Sequence, residues 1–276
     1  MVKPSTKIHQ LTLIILLLCS IACAISHPIG EEDTTNNEAV PTIKITYPTE
    51  HYTEAVDGRL ILLIAKDIDS EPRFQLRDDA KTCQAFGMDV NEWKAETSLS
   101  FATNAFGYPV QNMEELPAGE YYAQVIFHKY ETFNRADGKV VKLPMDRGEG
   151  QQWNRAPGNL YSTPQKINIT DGQLPNFTVS LDQKIAPIPT PEDTKYVKHI
   201  RIKSKLLSDF WGRDMYLGAH VLLPEGWEEH PEVKYPLAIQ HGHFPRDFGG
   251  FRTIPPDPNL KAVSYTHLTL PTIYSV

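Results

Sequence analysis

Cysteine is nearly absent: three residues in 276, at positions 19, 23 and 83. Two of them fall in an apolar stretch at the start, so only Cys83 would remain in a mature chain. One thiol cannot close an internal disulfide, and stability must then come from burial. No histidine stands in Lys81-Thr82-Cys83-Gln84, so Cys83 reads as a buried structural residue rather than a nucleophile. Positive charge is also short. Lys and Arg total 27 against 34 Asp and Glu, a net charge of -7. A general nucleic-acid binder needs clustered cations to displace counterions, so that class is excluded as an expectation. Glycine (16) is outnumbered by proline (22), which favours short strands and rigid turns over a helical bundle. No long repeat is present.

Enough apolar side chains are there to build a core. They make up 41% of the chain, with 22% charged, which argues against general disorder. The start has the layout of an export signal. Lys3 and Lys7 precede an apolar run from Leu11 to Ile25, and Ala22-Cys23-Ala24 has the small-x-small form of a cleavage site. The run is shorter than the about 20 residues a membrane-spanning helix needs. Cleavage after Ala24 makes 1–24 a signal peptide and places the protein outside the cell or in the periplasm. The alternative is processing at Cys23, after Ser20-Ile21-Ala22, which would anchor the chain to a membrane by a lipid.

Residues 25–39 are polar and acidic and read as a flexible leader. A strand-rich region follows. Thr42 to Tyr47 alternates polar and apolar, and Arg59 to Ala65 is a dense apolar run after Asp57-Gly58. Gly119 to Phe127, Gln165 to Thr170 and Asn176 to Leu181 add three further strands. Short strands with Gly, Pro and Asp turns predict an immunoglobulin-like β-sandwich over 40–185. The Lys142–Pro164 segment is long and Gly/Pro-punctuated. It reads either as a recognition loop using Arg147, Trp153 and Arg155 or as a surface loop that packs its own Trp153. Alternating prolines over 186–195 predict a stiff, extended linker.

Past the linker, His199–Ser204 alternates and Met215–Pro224 is a longer apolar strand. Tyr235–Gln240 is a third apolar run, ending in His241-Gly242-His243. Residues 196–262 resemble the start of an α/β-hydrolase domain. The likeness is to the esterase group that includes enterochelin-esterase-like proteins. It rests on Tyr216–Pro224 with Gly226, and on Tyr235–Phe244. Upstream, Glu71–Phe74 and Phe86–Val90 resemble the accessory region found before the hydrolase domain of some large secreted esterases. The overall expectation is thus an all-β sandwich followed by a truncated α/β domain.

The resemblance implies an oxyanion hole formed by backbone N–H groups after the third strand, at Gly242, His243 or Phe244. It also implies a serine nucleophile on Gly-x-Ser-x-Gly with a later acid and histidine, and none of these is in the chain. The expected function is a fragment of an exported serine hydrolase acting on an acyl ester, without cofactor or metal, and inactive as it stands. His241, His243 and Asp247 have a spacing open to a metal, but catalytic zinc usually takes three protein ligands and the apolar strand before them fits the hydrolase reading equally. Arg246 and Arg252 read as surface-loop residues, and the two Asn-x-Thr sequons at Asn168 and Asn176 as chance.

A non-catalytic secreted or lipid-anchored binding protein is the alternative, with Trp93, Tyr121, Tyr122 and Trp153 as candidate stacking surfaces. Finally, Val263–Thr272 matches one reading frame of a transposase-type sequencing adapter, residue for residue. On that expectation 263–276 is foreign to the natural chain.

Overall fold

Alternation builds the first sheet. In β1 (Ile43–Thr46) the side chains of Ile43 and Ile45 are buried and Lys44 is exposed, the period-2 pattern of a strand with one wet face. β1 pairs with β4 (Leu99–Ser100) antiparallel and with β10 (Phe177–Ser180) in parallel. The structure, a computed structural model, describes residues 43–101, 105–170, 173–224 and 226–241.

The second sheet has eight strands. Its spine is β2 (Val56–Ala65) against β6 (Gly119–Asn134), antiparallel from Asp57 opposite Tyr130 to Ala65 opposite Tyr122. On one side β2 carries β3 (Gln84–Trp93), and β3 carries β5 (Phe106–Tyr108). On the other, β6 pairs with β7 (Val140–Leu143) near its end, β8 (Leu160–Tyr161) in its middle and β9 (Gln165–Ile169) at its start. β11 (Gln183–Lys184) closes that side against β8.

Both faces of this large sheet are covered. Leu60, Leu62 and Ile64 of β2 join Phe86, Val125 and Phe127 in one buried cluster with Ile43, Ile45, Tyr47, Val179 and Leu181 of the smaller sheet layer. Trp93 sits at its centre, edge-on to Tyr47 (4.6 Å) and Phe127 (5.4 Å), and the Tyr47 hydroxyl donates to the Trp93 carbonyl at 2.9 Å. The intervening residues Leu63, Ala65 and Ile126 face the other way and are covered, with Cys83, by Leu76, Trp153, Tyr161 and Ile185. Sheet on sheet with a shared apolar layer is sandwich packing. The 153–162 part of the 142–164 segment is therefore a packed cover, with Trp153 in the second cluster, whereas 142–144, 146–148 and 151–152 are exposed.

A polar network ties that cover to the sheet. Pro72–Phe74 forms a single 3-10 turn, and Arg73 within it is buried. Its guanidinium donates to Glu71 (2.9 and 3.2 Å) and to the Asn154 carbonyl (3.0 Å). It also lies 4.0 Å from the Tyr161 ring centre and 4.4 Å from that of Phe74. Gln124, fully buried in β6, accepts from the Arg73 N–H and donates to Glu71 (2.7 Å) and the Ser162 carbonyl (2.9 Å). Burial pushes the Glu71 carboxyl up, but hydrogen bonds from Arg73 and Gln124 outweigh it and hold the group below its ordinary range.

After an exposed extended stretch, β12 (Val197–Lys203) and β13 (Tyr216–Leu222) form an antiparallel hairpin, with α1 (Lys205–Trp211) between them. Ser204 caps α1 by accepting from the Leu207 N–H at 3.3 Å, and Gly212 ends it in the left-handed region at φ 67°. A Cβ on Gly212 would lie 2.3 Å from the Asn134 carbonyl oxygen, so the helix end sits against the end of β6. Trp211 packs edge-on to Phe133 at 5.4 Å, and the Ala136 N–H donates to the Phe210 carbonyl at 2.7 Å.

The expected α/β domain is overturned. Among the described residues there is one α-helix, seven residues long, and the architecture is mostly β. β12 and β13 form a two-stranded antiparallel sheet, with no parallel strand or crossover helix beside it among the described residues. Tyr235–Gln240, expected as a buried central strand, lies in no strand, with Leu237 79% and Ile239 82% exposed. A parallel strand is buried only when helices cover both faces of its sheet, and no described helix covers this run. Apolar composition marked it as able to be buried; among the described residues nothing packed against it makes it so.

Candidate ligand cleft

β6 changes character along its length. Val125 and Phe127 point into the sandwich core, and the next two residues on the same face are Lys129 and Glu131. Where the strand leaves the core, its inner face thus becomes charged. The 50–57 segment that leads into β2 lies across this charged end, with Lys184 of β11 and Arg213, just past α1, completing a cleft of about 630 Å³.

Tyr52 is the cleft's fixed point. Its hydroxyl donates to the Gly158 carbonyl at 2.6 Å. The ammoniums of Lys129 and Lys184 lie 4.3 and 4.0 Å from the centre of its ring, within reach of its negative quadrupole. Lys184 donates to the His51 carbonyl at 2.9 Å. Beside them the mostly buried Glu131 carboxylate accepts from Arg147 on one oxygen and from Arg213 on the other. Burial pushes the Lys129 ammonium below its ordinary pKa, and the positive charges of Arg147 and Lys184 push the same way. Burial raises the Tyr52 phenol. His128 points to the opposite face of β6, and burial pushes its imidazole down to about 4, so it is neutral at pH 7.

Asp57 also lines the cleft, but its carboxylate is committed to Lys142 at 3.0 Å and to the Glu92 N–H at 2.9 Å. Burial raises Asp57, and those two partners pull it below its ordinary value. Glu50 and Glu54 stand exposed on the rim. Among the described residues no carboxylate lies within 4.0 Å of the Lys129 or Lys184 ammonium. A second depression of about 500 Å³ borders α1, but its Lys203 and Lys205 are each matched by an acid, Asp214 and Asp209, at 2.6 Å.

The oxyanion-hole candidates Gly242, His243 and Phe244 lie outside the described residues, as do Asp247, Arg246 and Arg252. His241 is exposed and in no strand. The serines near the hairpin have structural partners: Ser204 caps α1, and Ser208 accepts from the Met215 N–H at 2.9 Å. Asp193 and His199 form an acid–imidazole pair at 3.1 Å, with the His220 ring 4.8 Å beyond. Among the described residues no serine, threonine or cysteine side chain hydrogen-bonds to a histidine ring. The aromatics expected as stacking surfaces are not free: Trp93 and Tyr121 are core residues, and Tyr122 and Trp153 are half-buried. Tyr52, Lys129 and Lys184 carry no motif and are brought together only by the pairing of distant strands.

Cys83 is buried, its thiol pushed up to about 12 by burial and aimed at the Pro72 carbonyl. It should therefore be inert in the native state. In a Cys19→Ser, Cys23→Ser variant, an aromatic disulfide reagent is expected to release no colour until denaturant is added. Immediate full reaction of the native protein would place Cys83 at the surface.

Comparison of the chain with protein-family models, with curated proteins and with solved structures finds no match in any of the three.

Proposed function

We propose that the chain is an exported, non-catalytic β-sandwich module that binds a small ligand in the cleft around Tyr52. The observation that carries this reading is the cleft: two lysine ammoniums held against one ring, beside a carboxylate clamped by two arginines. Lys129 and Glu131 stand on β6 and Lys184 on β11, and the Tyr52 hydroxyl is held by the Gly158 carbonyl, as a preformed binding site requires. Export is supported by Lys3, Lys7 and the Leu11–Ile25 run, with lipid attachment at Cys23 as the variant form. Ester hydrolysis by a longer parent rests on the esterase likeness of Tyr216–Gly226 and Tyr235–Phe244 alone. For this chain, without a nucleophile–base pair among its described residues, the non-catalytic reading is the better supported.

The test has two arms. The purified chain is expected to hydrolyse p-nitrophenyl acetate no faster than buffer, and a rate well above that control would overturn the non-catalytic reading. A panel of neutral and acidic sugars, amino acids and inorganic anions is then titrated into isotope-labelled protein. Shifts confined to 50–57, 129–132 and 183–184 are expected for at least one compound; none at those positions would remove the cleft as the site.

A further inference from the structure

We infer that the cleft recognises a small, multiply charged oxyanion group, received between the ammoniums of Lys129 and Lys184 at the edge of Tyr52. The inference rests on the cleft being the binding site and names the class of its ligand.

The charge inventory points this way. Three cations line the cleft, Lys129, Lys184 and Arg213, and Arg147 reaches its Glu131. Of the four carboxylates there, Glu131 has both oxygens taken by the arginines, Asp57 is held by Lys142, and Glu50 and Glu54 are exposed. Arg147 spends donors on Glu131 and on the Met145 and Pro157 carbonyls, and Arg213 is anchored to Glu131 through one nitrogen. The lysine ammoniums are less committed. Each ammonium has three N–H donors. Lys184 spends one on the His51 carbonyl, and neither lysine has a carboxylate within 4.0 Å among the described residues. Both lie within 4.3 Å of the centre of one ring, whose π-system attracts cations without consuming their hydrogens. Burial first, and then the positive charges of Arg147 and Lys184, hold the Lys129 ammonium below its ordinary pKa, and like charges brought together in a half-buried place cost free energy. An oxyanion between them removes the repulsion and accepts charge-assisted hydrogen bonds.

The rim limits the size of the ligand. Glu50 and Glu54 stand exposed at the mouth, and the chain carries a net charge of -7. An extended polyanion such as a nucleic acid would meet those carboxylates along its length, whereas a single phosphate- or sulfate-sized group needs to reach only the two lysines. Tyr52 adds an apolar wall for whatever bears the charged group.

Inorganic phosphate and sulfate are the probes, titrated at constant ionic strength against chloride. Saturable shifts at 50–57, 129–132 and 183–184 are expected with either dianion and not with chloride. Lys184→Met, an exposed position that spares the fold, and Lys129→Met should each weaken binding about tenfold or more, since each removes charge-assisted hydrogen bonds to the dianion. Dianion effects equal to those of chloride, or unchanged in a folded Lys184→Met variant, would overturn the inference. If neutral compounds move the cleft signals and dianions do not, the oxyanion assignment fails and the cleft reading stands. If no compound moves them, both fail.

Discussion

Replacing Gln124 by methionine is expected to lower the stability of the sandwich by about 3 kcal/mol, although the two side chains have similar shape. The amide is fully buried and makes three hydrogen bonds, from the Arg73 N–H and to Glu71 and the Ser162 carbonyl. Methionine fills the space but leaves those partners without theirs. A buried polar group deprived of its partner costs about 1–3 kcal/mol. The total stays near the lower end because the Glu71 side chain is 37% exposed and can recover a hydrogen bond from water. For a domain of this size the loss corresponds to a fall in Tm of roughly 6–12 °C. Urea or thermal unfolding followed by circular dichroism would read it. By contrast, Lys166→Ala removes an ion pair with Glu120 that stands in water, and should leave the midpoint where it is. Equal midpoints for Gln124→Met and the parent would mean that the Glu71–Arg73–Gln124 network is not formed in solution.

Gly58→Val should be at least as damaging, about 3 kcal/mol or more. Gly58 lies inside β2, opposite Lys129 of β6. A Cβ there would stand 2.3 Å from the His128 carbonyl oxygen and 2.7 Å from two atoms of the Phe127 ring. The carbonyl is backbone in the central strand pair and cannot swing aside. Phe127 is itself fully buried beside Trp93. Relief therefore requires β2 and β6 to separate at the point where they build the cleft, and overpacking that shifts side chains and backbone costs about 1–3 kcal/mol, occasionally more. Gly218→Ala is the matched control, since a Cβ on Gly218 meets nothing within 4 Å. It should be neutral or slightly stabilising, because alanine reduces the freedom of the unfolded chain. A native-like urea midpoint for Gly58→Val would contradict the β2–β6 register.

These two residues also mark the line between local and long-range information. The alternation of 42–47 and the apolar densities of 59–65, 119–127, 165–170 and 176–181 were legible because a strand's burial pattern is written in its own side chains. Each appears as a strand. The limits were not legible. Asp57-Gly58 has the composition of a turn, yet β2 runs through it, because Gly58 is where the β6 backbone comes closest. β6 continues past Phe127 to Asn134 although its side chains turn polar, because β2 and β7 pair with that end. β3 was missed because its sequence, Gln84–Trp93, mixes polar and apolar residues, and its place is set by Leu60, Leu62 and the neighbouring strands.

By itself, then, the sequence determined that the chain is acidic, nearly free of cysteine, rich in short strands and furnished with an export-like start. It also marked Cys83 as structural. Only the tertiary structure decided which apolar runs are buried. Leu60 and Leu62 have a second sheet over them, whereas Leu237 and Ile239 have no partner layer among the described residues. It alone turned Arg73 from a surface-type residue into a buried one, by bringing Glu71, Gln124 and Tyr161 around it. The cleft is the extreme case. Tyr52, Lys129, Lys184 and Arg213 belong to four separate segments, and each is an ordinary residue in its own neighbourhood. Side-chain pattern reports how a residue prefers water or core, while the meeting of distant residues depends on strand pairing, which no short stretch of sequence contains.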